Sequence, residues 1–400
     1  MPAISQRARE MPPSPIRKLV PYAEDAKKRG NKVYHLNIGQ PDIPTPKVMM
    51  DAFRNHDVTV LAYGHSAGLW EYREGLAKYY QKFDINVSKE QILVTTAGSE
   101  AIIFVMMATM DPGDEVLVPE PFYTNYNGFA IEAGVKVVPI TCKAEDGFKL
   151  PSDEEIHAKI TPRTRAIMIC NPNNPTGYVY SWEELQRLRE LVLEYDLFFF
   201  SDEVYREFVY DGGKHHSVMH LNGLEDRAVL LDSISKRYSA CGARIGCLVT
   251  KNKEILESSL RFGQARLCPP TMEQIAAIAA LDTPQSYFDE VMDEYRQRRD
   301  VVFESLSKSP GVVGQKPPGA FYTIVKLPID DADKFCTWLL QDFHDNNETV
   351  MLAPAGGFYA TPGLGQNEVR IAFVLNTAAM KRSMEILEKA LQVYPGRISE

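Results

Sequence analysis

The sequence is poor in cysteine, with six among its 400 residues. These are Cys142, Cys170, Cys241, Cys247, Cys268 and Cys336. No two of them have the CxxC spacing of zinc ligands or of thioredoxin-like motifs, so both classes of site are excluded, as is a small disulfide-bonded scaffold. Reduced cysteines are typical of the cytoplasm, which is therefore the expected location.

The sequence also lacks an excess of positive charge and a long hydrophobic run. It contains 44 Lys and Arg against 53 Asp and Glu, a net charge of −9, which argues against a protein that mainly coats nucleic acid. The longest apolar run, Ala101–Met110, is too short to cross a bilayer and predicts a buried helix. The N-terminal sequence MPAISQRARE has no apolar run of the signal-peptide type. We therefore expect neither a nucleic-acid nor a membrane partner.

What the chain does contain is an alternation of short apolar runs with helical patterns. The apolar runs are Ile92–Thr95, Glu115–Pro119, Val135–Ile140, Ala166–Cys170, Leu197–Ser201, Ala228–Asp232 and Ile245–Thr250. They are apolar on both sides of the strand, as in strands that are covered on both faces. Helices such as Ser181–Tyr195, which opens with a capping box, separate several of them. This pattern predicts an α/β fold with a mostly parallel central sheet and helices on both faces.

The last third of the chain has a different pattern, with two long helical segments and two isolated strands. The helical segments are Tyr287–Lys308 and Met380–Val393, and the strands are Gly319–Leu327 and Glu368–Leu375. They predict a smaller α+β domain. We expect residues 1–45 to form an N-terminal arm and part of the small domain, 46–285 a large ligand-binding domain, and 286–400 the small C-terminal domain.

Residues with useful chemistry follow the ends of the predicted strands. The small-residue turn Ala97–Ala101 begins a helix, and the free N–H groups there suit a phosphate, although a plain strand-to-helix turn has the same sequence pattern. The loop Asn171–Gly177 contains two prolines and a glycine, which impose an irregular conformation, and it would present the side-chain amide of Asn174.

Of two later predicted strands, one is followed by an acid and the other by a lysine. Asp202 follows an apolar strand, and because an unpaired buried carboxylate is costly, it needs a cationic partner unless it caps a helix. Lys236 follows Ser233 and Ser235, and Arg244 comes eight residues later. Such a lysine is either solvated or a nucleophilic amine with a lowered pKa.

All of these groups are expected at one edge of the sheet, because ligands bind at the carboxyl ends of the strands in open α/β sheets. A phosphate cradle, an amide, a carboxylate, a phenol, a lysine and an arginine would then face one ligand. Pyridoxal 5′-phosphate (PLP) satisfies the whole set, since it carries a phosphate, a phenolic oxygen, a ring nitrogen and an aldehyde.

The motifs NPNNPTG, SDEVY, SISK and VRIAF are arranged in an order and at spacings that resemble the class I and II aminotransferases. These are fold type I PLP enzymes related to aspartate aminotransferase, and the resemblance covers nearly the whole chain, from Leu36–Pro46 to Arg370. It implies transfer of an α-amino group between an amino acid and a 2-oxo acid by a ping-pong mechanism. It also implies a homodimer with shared active sites.

The resemblance further implies roles for single residues. Lys236 would form the Schiff base with PLP and shuttle the proton from the substrate Cα, and Asp202 would keep the pyridine nitrogen protonated. Tyr205 and Asn174 would bind the phenolic oxygen, and Tyr123 would stack on the ring. The phosphate would be held by Gly98, Ser99, Glu100, Ser233, Arg244 and, from the neighbouring subunit, Tyr63.

Substrate binding is expected to depend on Arg370, which matches the arginine that holds the substrate α-carboxylate with a planar, bidentate fork. Gly39 and Ile38 would lie over the substrate. A second cation would favour a dicarboxylic substrate, and Arg266 is a candidate for it, the alternative being a surface or interface ion pair. Aspartate and 2-oxoglutarate are the expected pair, with aromatic amino acids or alanine as alternatives.

Two other classes of protein remain open at this stage. A PLP-dependent lyase that eliminates at Cβ or Cγ uses the same fold, and the motifs do not separate it from an aminotransferase. A non-catalytic regulator with an aminotransferase-like domain would need an attached DNA-binding module, for which the fifteen-residue N-terminal arm leaves no room.

A histidine cluster is a further candidate site. His215, His216 and His220 have a spacing seen among metal ligands, but no acid or cysteine at a suitable spacing completes the set. We therefore expect a solvated loop there and no metal.

Overall fold

The computed structural model describes residues 2–398 of the chain. Its strands are β1 (Lys32–His35), β2 (Ile92–Thr96), β3 (Glu115–Glu120), β4 (Lys136–Thr141), β5 (Thr164–Cys170), β6 (Phe198–Asp202), β7 (Ala228–Ser233), β8 (Ile245–Thr250), β9 (Tyr322–Lys326), β10 (Glu348–Met351), β11 (Ala353–Pro354) and β12 (Glu368–Ala372). Its α-helices are α1 (Gln6–Glu10), α2 (Val20–Lys28), α3 (Lys47–Arg54), α4 (Trp70–Gln81), α5 (Ala97–Thr109), α6 (Asn125–Ala133), α7 (Asp153–His157), α8 (Trp182–Glu194), α9 (Ile234–Arg237), α10 (Lys253–Arg266), α11 (Thr271–Ala280), α12 (Gln285–Leu306), α13 (Ala332–Gln341) and α14 (Thr377–Val393). None of these helices has the length and apolar character needed to cross a membrane.

Seven strands form the central sheet, in the spatial order β2-β8-β7-β6-β5-β3-β4. β8 is antiparallel to both of its neighbours, and every other pair is parallel. In β7, Leu230 belongs to one hydrophobic cluster, while Val229 and Leu231 belong to another, so the strand is covered on both faces. The prediction of a mostly parallel sheet with both faces covered is confirmed.

Local sequence explains where several helices begin. α8 starts after Ser181, whose hydroxyl accepts from the Glu184 N–H while the Glu184 carboxylate accepts from the Ser181 N–H, the predicted capping box. The apolar run Ala101–Met110 lies within α5 except for its last residue, and most of it is buried, as predicted. α5 is therefore held by the core while its first turn is free to face a ligand.

The parallel arrangement brings the ends of β5, β6 and β7 to the same edge of the sheet. Cys170 lies beside Asp202 in the register, and Asp202 lies beside Leu231. Because β8 is antiparallel to both β2 and β7, the end of β2 and the start of β8 also lie at this edge. Five chain segments with polar residues therefore converge there, as the sequence predicts.

A smaller α+β unit is built from segments near both ends of the chain. β1 pairs in parallel with β10, and β11, β12 and β9 form an antiparallel sheet in that order. α12 packs against α14. Arg370 lies in the middle of β12, paired with Ala353 on one side and Ile324 on the other. The predicted second unit is confirmed, and it holds Arg370 on a strand.

The N-terminal arm, residues 2–18, reaches the same edge of the central sheet. α1 has no buried residue, but the arm is anchored beyond it. Pro15 packs so closely on Gly357 that a Cβ there would lie 2.4 Å from the proline side chain. The Asn37 amide donates to the Ile16 carbonyl over 3.4 Å. These contacts hold the arm against the chain segment that contains Gly39.

Candidate active site

A cavity of about 350 Å³ opens at this edge of the central sheet. It brings together most of the residues that the sequence predicts for the site, namely Ile38, Gly39, Gly98, Ser99, Tyr123, Asn174, Asp202, Tyr205, Ser233, Lys236, Arg244 and Arg370. Tyr63, Glu100 and Arg266 do not line it. The lining residues range from Ser14 in the N-terminal arm to Arg370 in β12, so the cavity depends on segments from the whole length of the chain.

Asp202 is a half-buried carboxylate that faces the cavity without a cationic partner among residues 2–398. One oxygen accepts a hydrogen bond from the Tyr126 hydroxyl at 2.7 Å, and the other accepts from the Val204 N–H at 3.3 Å. Burial raises the pKa of this carboxyl to about 6, because neither hydrogen bond replaces the lost hydration of the charged form. Among residues 2–398 no side chain supplies the cation that the sequence predicts for Asp202, so this position is open to a cationic group of a ligand.

Lys236 extends from the short helix α9 into the cavity. Its amine donates to the Gly39 carbonyl oxygen at 2.7 Å and lies 3.6 Å from the Cys241 sulfur. Burial lowers the pKa of the amine, because the charged form is removed from water. A lysine with a lowered pKa is the nucleophilic amine that attack on an aldehyde requires.

The start of α5 has the geometry of an anion site. Ala97 has a φ of +62°, and the first turn of the helix, with Gly98 and Ser99, faces the cavity. β8 approaches this turn closely, since a Cβ on Gly246 would lie 2.4 Å from the Ala97 carbonyl carbon. Ser233 and Arg244 line the cavity beside it. Backbone N–H groups, a hydroxyl and a guanidinium therefore surround a position suited to a phosphate.

Arg370 is almost fully buried, and its guanidinium is only partly satisfied by the protein. It donates to the Asn174 side-chain oxygen at 3.0 Å and to the Asn37 carbonyl, while its Nε is buried with no partner among residues 2–398. It also stacks on the rings of Tyr322 and Phe358, at 4.7 and 4.8 Å. A fixed, incompletely paired guanidinium of this kind suits a carboxylate.

Glu100 and Arg266 form an ion pair away from the cavity. The Arg266 Nε lies 3.1 Å from one Glu100 oxygen, the other Glu100 oxygen accepts from the Thr96 N–H at 2.8 Å, and both side chains are less than one-fifth exposed. Within this chain Arg266, at the end of α10, is paired with Glu100 and does not line the cavity, and its role in substrate binding stays a prediction. Tyr63, by contrast, is 81% exposed and free to contact another molecule.

Sequence reasoning missed several residues of the site. Tyr126 binds Asp202, and Tyr322 lies 2.9 Å from the Tyr205 hydroxyl oxygen. Tyr126 lies in the segment that contains Tyr123, so its proximity could have been noticed. Tyr322 and Arg17, which lines the cavity from the N-terminal arm, are far from every motif in the sequence. No spacing pattern points to either of them.

The segment that contains the histidine cluster is exposed at residues 211–214 but is less solvated at the histidines than the sequence predicts. The His215 side chain is 6% exposed and lies 3.7 Å from Glu203. The His220 ring lies 2.9 Å from the Phe83 carbonyl oxygen and accepts from the Ser217 N–H. The prediction of a solvated side chain was wrong for His215, which packs against Glu203, whereas His216 and His220 are half-buried. Across residues 2–398, no group of three or more His, Cys, Asp or Glu side chains is arranged to hold a metal ion.

The residues of the cavity fit PLP. Asp202 lacks a cation that a protonated pyridine nitrogen would supply, and Lys236 has a low-pKa amine for the aldehyde. The Asn174 oxygen is taken by Arg370, but its N–H groups make no hydrogen bond within residues 2–398 and suit a phenolic oxygen. The first turn of α5 would hold the phosphate.

Comparison with known proteins agrees with this geometry. The family model "Aminotransferase class I and II" matches residues 31–387. An aspartate aminotransferase of Thermotoga maritima is 33% identical, over 97% of this chain and 99% of the relative. An aromatic-amino-acid aminotransferase of Thermococcus litoralis is 31% identical, over 98% of both. The structure of an alanine aminotransferase from Pyrococcus furiosus has a TM-score of 0.87 at 33% identity, covering 97% of this chain and 99% of that one.

The chain belongs to the class I and II aminotransferases. It is a PLP-dependent enzyme that transfers an amino group between an amino acid and a 2-oxo acid, which confirms the activity, the cofactor and the family that the motifs imply. The similar proteins named above are named for different amino acids.

Proposed function

We propose that the enzyme uses aspartate and 2-oxoglutarate, in a ping-pong reaction. The observation that carries this proposal is the convergence of Lys236, Asp202 and the incompletely paired Arg370 on one cavity. The name of the Thermotoga maritima relative supports aspartate as the amino donor. Bound PLP supplies an electron sink for the negative charge that develops at the substrate Cα.

Each residue of the site then has a role that its position supports. The Lys236 amine would hold the cofactor at its aldehyde carbon, with release of water, and would afterwards accept and return the proton of the substrate Cα. Asp202 keeps the ring nitrogen protonated, because burial without a cation makes that nitrogen its best partner. Tyr205 and Asn174 donate to the phenolic oxygen, and Tyr123 covers the ring.

The two ends of the site bind anions. Gly98, Ser99 and Glu100 contribute backbone N–H groups to the phosphate, while Ser233 and Arg244 contribute side chains. Arg370 binds the substrate α-carboxylate. Gly39 and Ile38 cover the substrate, and Gly39 has to remain glycine because a Cβ there would lie 1.6 Å from the Tyr322 hydroxyl oxygen.

Replacing Lys236 by Ala tests this proposal. The variant should lose the absorbance of covalently bound cofactor and all turnover, because no other amine lines the cavity among residues 2–398. Lys18→Ala, which removes an exposed lysine that does not line the cavity, is the control. Turnover that survives in Lys236→Ala would contradict the assignment.

An aromatic or alanine aminotransferase is the second candidate. Ile38 is 39% exposed at the mouth of the cavity and would offer an apolar wall, and two of the similar proteins are named for these substrates. Adding single amino acids to the PLP enzyme without a 2-oxo acid separates the candidates. Conversion of the cofactor to its amine form by aspartate or glutamate supports our proposal, and conversion only by aromatic amino acids or alanine contradicts it.

We also propose that the enzyme is a cytoplasmic homodimer. The exposed Tyr63 supports a dimer in which this side chain reaches the phosphate of the neighbouring subunit, and six free cysteines suit a reducing compartment. The pairing of β1 with β10 supports assigning residues 1–45 and 286–400 to a small domain and 46–285 to a large one. Sedimentation of the wild type and of Tyr63→Ala, with the cofactor affinity of each, tests the dimer.

A further inference from the structure

One cationic side chain that lines the cavity has no role in the reaction proposed above. Its lining has the cationic side chains Lys236, Arg244, Arg370 and Arg17, but Asp202 is its only carboxylate within residues 2–398. Under the proposed function, Arg244 faces the phosphate and Arg370 the substrate α-carboxylate, while Lys236 binds the aldehyde. Arg17 is left without an anion.

Arg17 is also unpaired in the protein itself. Its guanidinium makes no ion pair and no hydrogen bond to any side chain or carbonyl of residues 2–398, whereas the neighbouring Lys18 pairs with Asp333. Arg17 is exposed to solvent and also lines the cavity, so its guanidinium is accessible to a ligand that enters. Its planar fork is suited to a carboxylate.

The position of Arg17 is set by contacts that lead to the substrate end of the cavity. The carbonyl of the preceding residue, Ile16, accepts from the Asn37 side chain, and the Asn37 carbonyl accepts from Arg370. Pro15 packs against Gly357, next to Phe358, on which Arg370 stacks. The N-terminal arm is thus anchored on residues that contact Arg370, the arginine proposed to bind the substrate α-carboxylate.

The other candidate for a second cation is already paired. Arg266 is in an ion pair with Glu100 and lies outside the cavity lining. Its charge is largely neutralised where it is, so it has no free charge to offer a substrate within this chain.

We propose that Arg17 is the specificity-determining residue that binds the side-chain carboxylate of a dicarboxylic amino acid. This rests on the proposed function, because it requires that Arg370 holds the α-carboxylate. Aspartate, glutamate and 2-oxoglutarate would each place one carboxylate on Arg370 and the other on Arg17. Alanine has no second carboxylate, so it gains nothing from Arg17.

The test compares Arg17→Gln and Arg17→Lys with the control Lys18→Gln. Arg17→Gln should raise the KM for aspartate at least tenfold and change that for alanine less than twofold, with kcat for both within a factor of three. Arg17→Lys should recover part of the aspartate affinity, since it keeps the charge, and Lys18→Gln should behave as the wild type does. Equal changes for aspartate and alanine in Arg17→Gln would overturn the proposal.

Binding of unreactive acids gives a second readout that does not depend on turnover. Calorimetry of the PLP enzyme with succinate and with butyrate compares a dicarboxylate with a monocarboxylate of the same chain length. Arg17→Gln should weaken succinate at least tenfold, about 1.4 kcal/mol, and leave butyrate unchanged. Unaltered succinate affinity would refute the role of Arg17.

The substrate range of the wild-type enzyme distinguishes failure of this inference from failure of the proposed function. If wild-type enzyme converts only alanine or aromatic amino acids, the proposed substrate is wrong and the inference falls with it. If wild-type enzyme uses aspartate but Arg17→Gln uses it equally well, only the inference is wrong. A selective aspartate defect in Arg266→Gln, with none in Arg17→Gln, would also overturn the inference and assign the second cation to Arg266.

Discussion

Replacing Asp202 by Asn should stabilise the cofactor-free protein while weakening the cofactor-bound one. Burial raises the pKa of Asp202 from 3.8 to about 6. A carboxyl whose pKa is higher in the folded than in the unfolded state costs stability as the pH rises through that interval, and the full cost is present above it. The difference of roughly 2 units corresponds to about 3 kcal/mol.

The asparagine side chain removes this cost, because it carries no charge and can still accept a hydrogen bond from Tyr126. We expect the free energy of unfolding of cofactor-free Asp202→Asn to exceed that of the wild type by about 3 kcal/mol at pH 8. At pH 5, where the folded wild type is already largely protonated, the gain should be about half as large. Urea unfolding of both proteins between pH 5 and 8 measures it, with the exposed Asp57→Asn as the control.

Adding PLP should reverse the order of stability, since the wild-type carboxylate then meets a protonated ring nitrogen. The variant should also remove the substrate Cα proton much more slowly, which rapid-mixing absorbance with aspartate would measure. A cofactor-free variant that is no more stable than the wild type at pH 8, or that gains the same stability at pH 5, would contradict this prediction. Either result would mean that the carboxylate is well solvated or already paired.

Two further substitutions test the two anion-binding ends of the cavity. Arg370→Lys should lower kcat/KM at least a hundredfold for every amino acid, because a lysine cannot replace two charge-assisted hydrogen bonds worth about 1.5–3 kcal/mol each; cofactor affinity should be unchanged, and a loss below threefold would reject the role. Gly246→Ala should weaken PLP binding and destabilise the protein by about 1–3 kcal/mol, because its Cβ would lie 2.4 Å from Ala97 and 2.6 Å from the Gly98 nitrogen. Gly242→Ala, whose Cβ meets nothing within 4 Å, is the control, and equal Tm and cofactor affinity in the two variants would contradict the packing argument.

The central sheet and its functional edge were predictable because their signals are local. Each strand is a short apolar run, and each polar group follows the end of one, so parallel pairing alone brings Asp202 beside the Asn171–Gly177 loop. The same logic places Lys236 correctly, since it follows β7 by only a few residues. Because parallel strands end at the same edge of the sheet, residues that directly follow different strands become neighbours there.

The remaining features depend on contacts between distant parts of the chain. Tyr322 reaches Tyr205 because the small sheet packs against the central one, and Arg266 meets Glu100 because α10 ends over the start of α5. His215 is buried by Glu203, which lies on a different segment. No periodicity or spacing encodes these contacts, so the sequence alone indicated neither the pairing of Arg266 with Glu100 nor the burial of the His215 side chain.

The pairing of β1 with β10 has a consequence for how the enzyme is assembled during synthesis. Within one chain, the cavity residues proposed to hold PLP lie between residues 98 and 244, whereas those proposed to bind the amino acid, Gly39 and Arg370, come from near opposite ends of the chain. The cofactor half can be translated completely while the substrate half still lacks β10 and β12. The binding site for the amino acid is therefore the last part of the active site to be synthesised. A truncation after α10 would remove Arg370 but would leave the residues proposed to hold PLP in place.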